Sequence, residues 1–200
     1  MNNRKIVFLG DSILKNDKYV DRNENVAELV RGKGQLDVIN LAVDGSSIAD
    51  IKDQINNIPD AFNNQNTFVF LSNGGNDILN NYIYNDTYST KTMDKMFQSY
   101  KYMIDTLRSK MDKARLVLLN IYNPKEDKLR EYDLIINDWN MRLNNYYLAN
   151  DKNITILDVN SIFNDKRDFT LDEVDGYYIE PSSMGASKLA YEIIEFVREN

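Results

Sequence analysis

The sequence predicts an α/β protein, a three-layer α/β/α sandwich around a five-stranded parallel sheet. Three observations carry that expectation: five short apolar runs, helical patterns between them, and polar glycine-bearing turns directly after the first three runs. Consecutive rather than alternating apolar residues mark strands buried on both faces. Strands that alternate with helices build a parallel sheet covered on both sides. The 200 residues suffice for a full core, and no internal repeat or low-complexity linker interrupts them, so a single domain over 1–200 is expected.

Ile6 to Leu9 form the first run, which stops abruptly at Gly10-Asp11-Ser12. Lys15 to Glu24 is polar and loop-like, and Val26, Leu29 and Val30 then give a short helix its apolar side before Gly32 and Gly34 end it. Leu36 to Leu41 reads as a second strand, and Ala42 to Ser47 as a turn and helix cap. Ile48, Ile51, Ile55 and Ile58 recur at helical spacing up to Pro59. Thr67 to Leu71 is a third strand, running into Ser72-Asn73-Gly74-Gly75-Asn76-Asp77.

From about Thr90 to Met111 a stripe of Met, Phe, Tyr, Ile and Leu in steps of three and four predicts a long helix, and the spacing alone assigns those residues to the core. Leu116 to Leu119 is a fourth strand. After the Asn123-Pro124 turn, Asp127 to Leu148 reads as a helix carrying Leu134, Ile135, Trp139, Leu143 and Tyr147, with Trp139 a core anchor. Ile154 to Val159 is a fifth strand, and Asn160 to Glu180 a largely irregular acidic stretch. Pro181-Ser182-Ser183 opens a last helix that turns Ala186, Leu189, Ala190, Ile193, Phe196 and Val197 inward.

Composition narrows the function. A net charge of −7 with no basic run longer than two residues argues against a nucleic-acid or anionic-membrane surface. Without cysteine there is no disulfide, thiolate zinc site or cysteine nucleophile. No apolar stretch approaches a membrane span, and Met1 to Arg4 lead straight into a strand, so a cytoplasmic protein is expected. The carboxylates show no metal-ligand spacing, and neither G-x-x-x-x-G-K-[ST] nor G-x-G-x-x-G occurs, so no metal or cofactor is expected. A flavin held by the same loops stays open by fold analogy alone. Tyr82, Tyr84 and Tyr88, between Asn80 and Ser89, read as packed residues ahead of a sugar- or aromatic-binding wall. The absence of histidine is the most informative count, because any hydrolytic mechanism must find another proton acceptor.

A parallel sheet gathers the turns after its strands on one edge, where ligands bind. Gly10-Asp11-Ser12, Asp44-Gly45-Ser46 and Gly74-Gly75-Asn76-Asp77 would meet there. Alone, Gly10-Asp11-Ser12 is equally a strand-to-helix turn in which Asp11 or Ser12 caps the next helix. Together, a serine beside a glycine N–H and an asparagine amide are the parts of a nucleophile with an oxyanion hole.

In that order these turns resemble the blocks of the SGNH, or GDSL, hydrolases, a family of serine esterases, lipases and carbohydrate-ester deacetylases with a flavodoxin-like α/β/α fold. The resemblance implies Ser12 as nucleophile and an oxyanion hole made by Ser12, Gly45 and Asn76. Asn40-Leu41-Ala42-Val43-Asp44-Gly45 looks like the second block, although Ala42 stands where a glycine is common. The implied partner is a small-molecule ester or an acylated carbohydrate.

The last block departs from the pattern. The family expects Asp-x-x-His before a helix, with the histidine as base and the aspartate orienting it. Asp175-Gly176-Tyr177-Tyr178-Ile179-Glu180-Pro181-Ser182 puts Glu180 in the histidine's place and Tyr177 in the aspartate's, with Asp175 two residues off register as a displaced partner. Two functional readings stand side by side: Glu180 is a surrogate base, or the chain is an impaired family member that binds a ligand or acts as a scaffold. A third makes Glu180 only a favourable charge at the start of the final helix. Since a glutamate's reference pKa of about 4.3 makes it a weak base unless burial raises it, the sequence favours impairment. On that reading Glu180→His raises hydrolysis, with Tyr177→Asp to orient the imidazole.

Overall fold

The computed structural model describes residues 4–83, 89–150, 154–171 and 176–200. The five apolar runs are strands: β1 (Lys5–Gly10), β2 (Asp37–Asn40), β3 (Thr67–Ser72), β4 (Arg115–Leu119) and β5 (Ile154–Leu157). They pair in parallel in the order β2-β1-β3-β4-β5. Between and after them lie α1 (Ser12–Lys15), α2 (Val26–Gly34), α3 (Ile51–Asn56), α4 (Gly75–Ile78), α5 (Thr90–Lys110), α6 (Asp133–Asn150), α7 (Val159–Ile162) and α8 (Ser183–Glu199).

The unbroken apolar runs have the cause the sequence suggested, because each strand feeds two cores. Ile6 and Phe8 pack on one face with Phe68, Phe70 and the inner sides of α2 and α8. Val7 and Leu9 pack on the other with Val69, Leu71 and the inner sides of α3, α5 and α6. On that second face Trp139 lies edge-on to Phe97 and Tyr100, with ring centroids 5.4 and 5.1 Å apart.

Three expectations are corrected. The helix predicted from Ile48 starts at Ile51, because the Ile48 N–H donates to Asp77 Oδ2 across the site and the segment before it is a turn. The helix predicted over 127–148 is a 3-10 turn, Asp127–Tyr132, followed by α6, and Leu134 is exposed; Ile135, Ile136, Trp139 and Leu143 make the buried stripe. The stretch read as irregular holds α7 and an antiparallel pair, β6 (Phe169–Leu171) and β7 (Tyr178–Pro181), with Thr170 opposite Glu180.

Strand order places the site. The chain adds β2 on one side of β1 and then crosses to add β3 on the other, so the loops after β1 and β3 diverge and leave a crevice at the carboxyl edge. Closeness there demands Gly10: its φ is +126°, and a Cβ would stand 1.8 Å from the Ser72 carbonyl oxygen. No helix among the described residues is long and apolar enough to cross a membrane.

Candidate active site

Where β1 ends, Asp11 caps α1. Its Oδ1 accepts the Ile13 N–H at 3.2 Å and the Ser72 hydroxyl at 2.7 Å, so the carboxylate ties the first loop to the third. Burial pushes the Asp11 carboxyl up to about 7 against the pull of those bonds, and the negative charge of Asp77 adds to the rise. Ser12 is the first residue of α1 and is 7% exposed.

Glu180 comes to Ser12 from the far end of the chain. The Ser12 hydroxyl donates to Glu180 Oε1 at 3.0 Å. The β6–β7 hairpin that carries Glu180 is fastened to α8. Ser182, the N-cap of that helix, donates its N–H to the Asp168 carbonyl at 2.8 Å, and the fully buried Asp168 carboxylate meets Lys188 at 2.8 Å. Tyr177 is partly buried just before β7. Asp175 lies outside the described residues.

The second and third loops meet at Ser46, whose carbonyl accepts the side-chain amides of Asn76 at 3.0 Å and Asn73 at 3.3 Å. Gln54 of α3, 4% exposed, ties the end of β1 to the second loop: its Oε1 accepts the Gly10 N–H at 2.7 Å, and its Nε2 donates to the Gly10 carbonyl at 2.9 Å and the Ser46 hydroxyl at 3.0 Å. Asp77 is pushed up to about 6 by burial, although the Ile48 N–H bond works the other way.

Ser12, Asn76 and Glu180 line one pocket, together with Asp11 and an apolar wall that includes Ile78, Ile121 and Ile136. Gly45 is not among its lining residues. It holds a φ of +75° in the neighbouring turn, where it borders a depression beside Asp44 and Gln54. Tyr82 is buried in the core, and Tyr84 and Tyr88 lie outside the described residues. Sequence reasoning did not single out Gln54, Ser72 or Tyr122. For Gln54 a signal existed, a polar side chain next to Ile55 on the buried face of an isoleucine-rich helix.

The GDSL-like lipase/acylhydrolase family model matches residues 8–187. Among solved structures, the lipase Lip_vut3 from a goat rumen metagenome shares 17% identity and a TM-score of 0.71, with 95% of each chain covered. An acetyl xylan esterase, AlAXEase, shares 20% identity and a TM-score of 0.71 over 96% of this chain and 99% of its own. A mutant acetyl-xylooligosaccharide esterase from Geobacillus shares 16% identity and a TM-score of 0.68 over 97% and 94%. At such identities the likeness speaks for the three-layer fold. Among curated proteins no relative matches. With the family model spanning all three loops and the Glu180 segment, the chain belongs to the GDSL-like lipase/acylhydrolase family.

Proposed function

We propose that the protein is a serine ester hydrolase in which Glu180 replaces histidine as the proton acceptor. The observation that carries this reading, against an impaired binding protein, is the 3.0 Å hydrogen bond from the Ser12 hydroxyl to Glu180 Oε1. An ionised carboxylate at that distance is placed to take the proton as Ser12 Oγ attacks the ester carbonyl carbon. The tetrahedral oxyanion is met by the Ser12 N–H and the Asn76 amide, whereas Gly45, expected beside them, borders a separate depression. Glu180 then protonates the departing alcohol. Water, deprotonated by Glu180, attacks the acyl-Ser12 ester and releases the acid, with the proton returning to Ser12.

The pocket constrains the substrate. Its wall beyond Ser12 is mostly aliphatic, and its cavity volume is about 80 Å³. A single water needs about 10–15 Å³ on the same scale, so the pocket suits a short uncharged acyl group rather than a long chain. The alcohol part, a small molecule or a carbohydrate, is left to the rim.

Hydrolysis of p-nitrophenyl acetate and labelling by a fluorophosphonate test the reading. Wild type hydrolyses the ester, the rate rises with pH as Glu180 ionises, and both Ser12→Ala and Glu180→Gln lose it at nearly unchanged Tm. Losing the base costs on the order of 10⁴-fold. Full hydrolysis in Ser12→Ala, wild-type labelling of Glu180→Gln, or a wild type that binds esters without turnover or labelling would each overturn it.

A further inference from the structure

Glu180 sits between two carbonyls, each held by a side chain from a distant part of the sequence. Asn16 Nδ2 donates to the Pro181 carbonyl at 2.9 Å, and the Tyr122 hydroxyl donates to the Ile179 carbonyl. In an extended strand these two carbonyls share one side and that of Glu180 takes the other. The only backbone ladder of β7 among the described residues is with β6, so Asn16 and Tyr122 do for its remaining carbonyls what a neighbouring strand would do.

Asn16 has a second attachment. It closes α1 in the left-handed conformation, φ +49°, and its own N–H donates to the Ser12 carbonyl at 2.8 Å. One residue is thereby bonded to the backbone of Ser12 and to the residue after Glu180. Tyr122 reaches from the loop after β4, with its ring packed against Phe163 and Phe169 at centroid distances of 5.0 and 5.2 Å. Both donors are buried, at 1% and 8% exposure. A buried carbonyl deprived of its donor costs free energy until it finds another partner, and the strand is free to shift toward one.

We propose that Asn16 and Tyr122 are positioning residues that hold the Glu180 carboxylate at hydrogen-bonding distance from Ser12. The inference rests on Glu180 being the proton acceptor. Neither residue exchanges a proton with substrate. One holds the residue before Glu180 and the other the residue after it, in a segment whose displacement lengthens the serine–carboxylate contact, and a shift of about 1 Å in a reacting pair can cost on the order of 100-fold.

Two conservative variants test it. Tyr122→Phe deletes one oxygen and keeps the ring stack, while Asn16→Gly keeps the left-handed turn and loses the amide. With p-nitrophenyl acetate, kcat per folded molecule falls about 10- to 100-fold in each and KM stays near wild type. Fluorophosphonate labelling of Ser12 slows in parallel. In a Glu180→Gln background, labelling with excess probe is already slow, and Tyr122→Phe slows it no further. Should Asn16→Gly fail to fold, Tyr122→Phe carries the test alone. Wild-type kcat in Tyr122→Phe, or an equal loss with and without Glu180, overturns the positioning role while leaving Glu180 as the base. Wild-type labelling of Glu180→Gln overturns the role of Glu180 itself, and this inference with it.

Discussion

An asparagine amide carries two hydrogens, and at Asn76 the Ser46 carbonyl takes one of them at 3.0 Å. That bond fixes the plane of the amide and leaves its other N–H for the oxyanion of the proposed mechanism. Asn76→Ala is expected to lower kcat on p-nitrophenyl acetate by about 10²- to 10³-fold with a small change in KM, the usual cost of one oxyanion donor. A change confined to KM would mean that the amide only binds substrate. That Ser12, Asn76 and Glu180 meet in one pocket was legible in the sequence, because each falls in or beside a turn whose place is set by an adjoining strand or helix; Gly45, expected with them, borders a separate depression. Asn16 and Tyr122 were not legible. Asn16 meets Pro181 across 165 positions, and Tyr122 meets Ile179 across 57, so nothing in their own surroundings marks them.

Among the elements, the strands were legible and the β6–β7 hairpin was not, for a physical reason. A central strand must be apolar on both faces, whereas β6 and β7 are three and four residues long, broken by a bulge, and carry Glu180 and Pro181. Their position is set by α8. Gly185, in the first turn of α8, faces the Asp168 carbonyl so closely that a Cβ would lie 2.2 Å from that oxygen. Alanine favours a helix over glycine by up to about 1 kcal/mol, and forcing backbones apart costs about 1–3 kcal/mol. The clash should win. Gly185→Ala is expected to lower Tm and to slow Ser12 labelling as the hairpin moves away from α8; a raised Tm with wild-type labelling would show that helix propensity dominates.

Across the whole molecule, buried and hydrogen-bonded carboxylates set how stability varies with pH. Asp11 and Asp77 are raised from 3.8 to about 7 and about 6, so the native state holds their protons more tightly than the unfolded chain does. Their contribution is full below pH 4 and is lost as pH rises toward 6 and 7. Asp50, Asp158 and Asp165 are lowered, the first and third chiefly by hydrogen bonds; at Asp158 burial opposes the bonds, which win. They act oppositely, adding stability above the ordinary carboxylate pKa and losing it in acid. Tm is therefore expected to fall between pH 5 and pH 8, and to fall less in Asp11→Asn, which keeps an oxygen for Ser72 and Ile13 and cannot ionise. Equal slopes in the two proteins would count against a raised Asp11. The span between Ser12 and Glu180 has a temporal side as well. Glu180 comes 168 residues after Ser12, a length that a ribosome adding about 5–20 residues per second covers in roughly ten to thirty seconds. On the proposed mechanism, the nascent chain carries Ser12 without its proton acceptor throughout that interval. A fluorophosphonate pulse during synthesis is then expected to mark only chains already extended past Glu180.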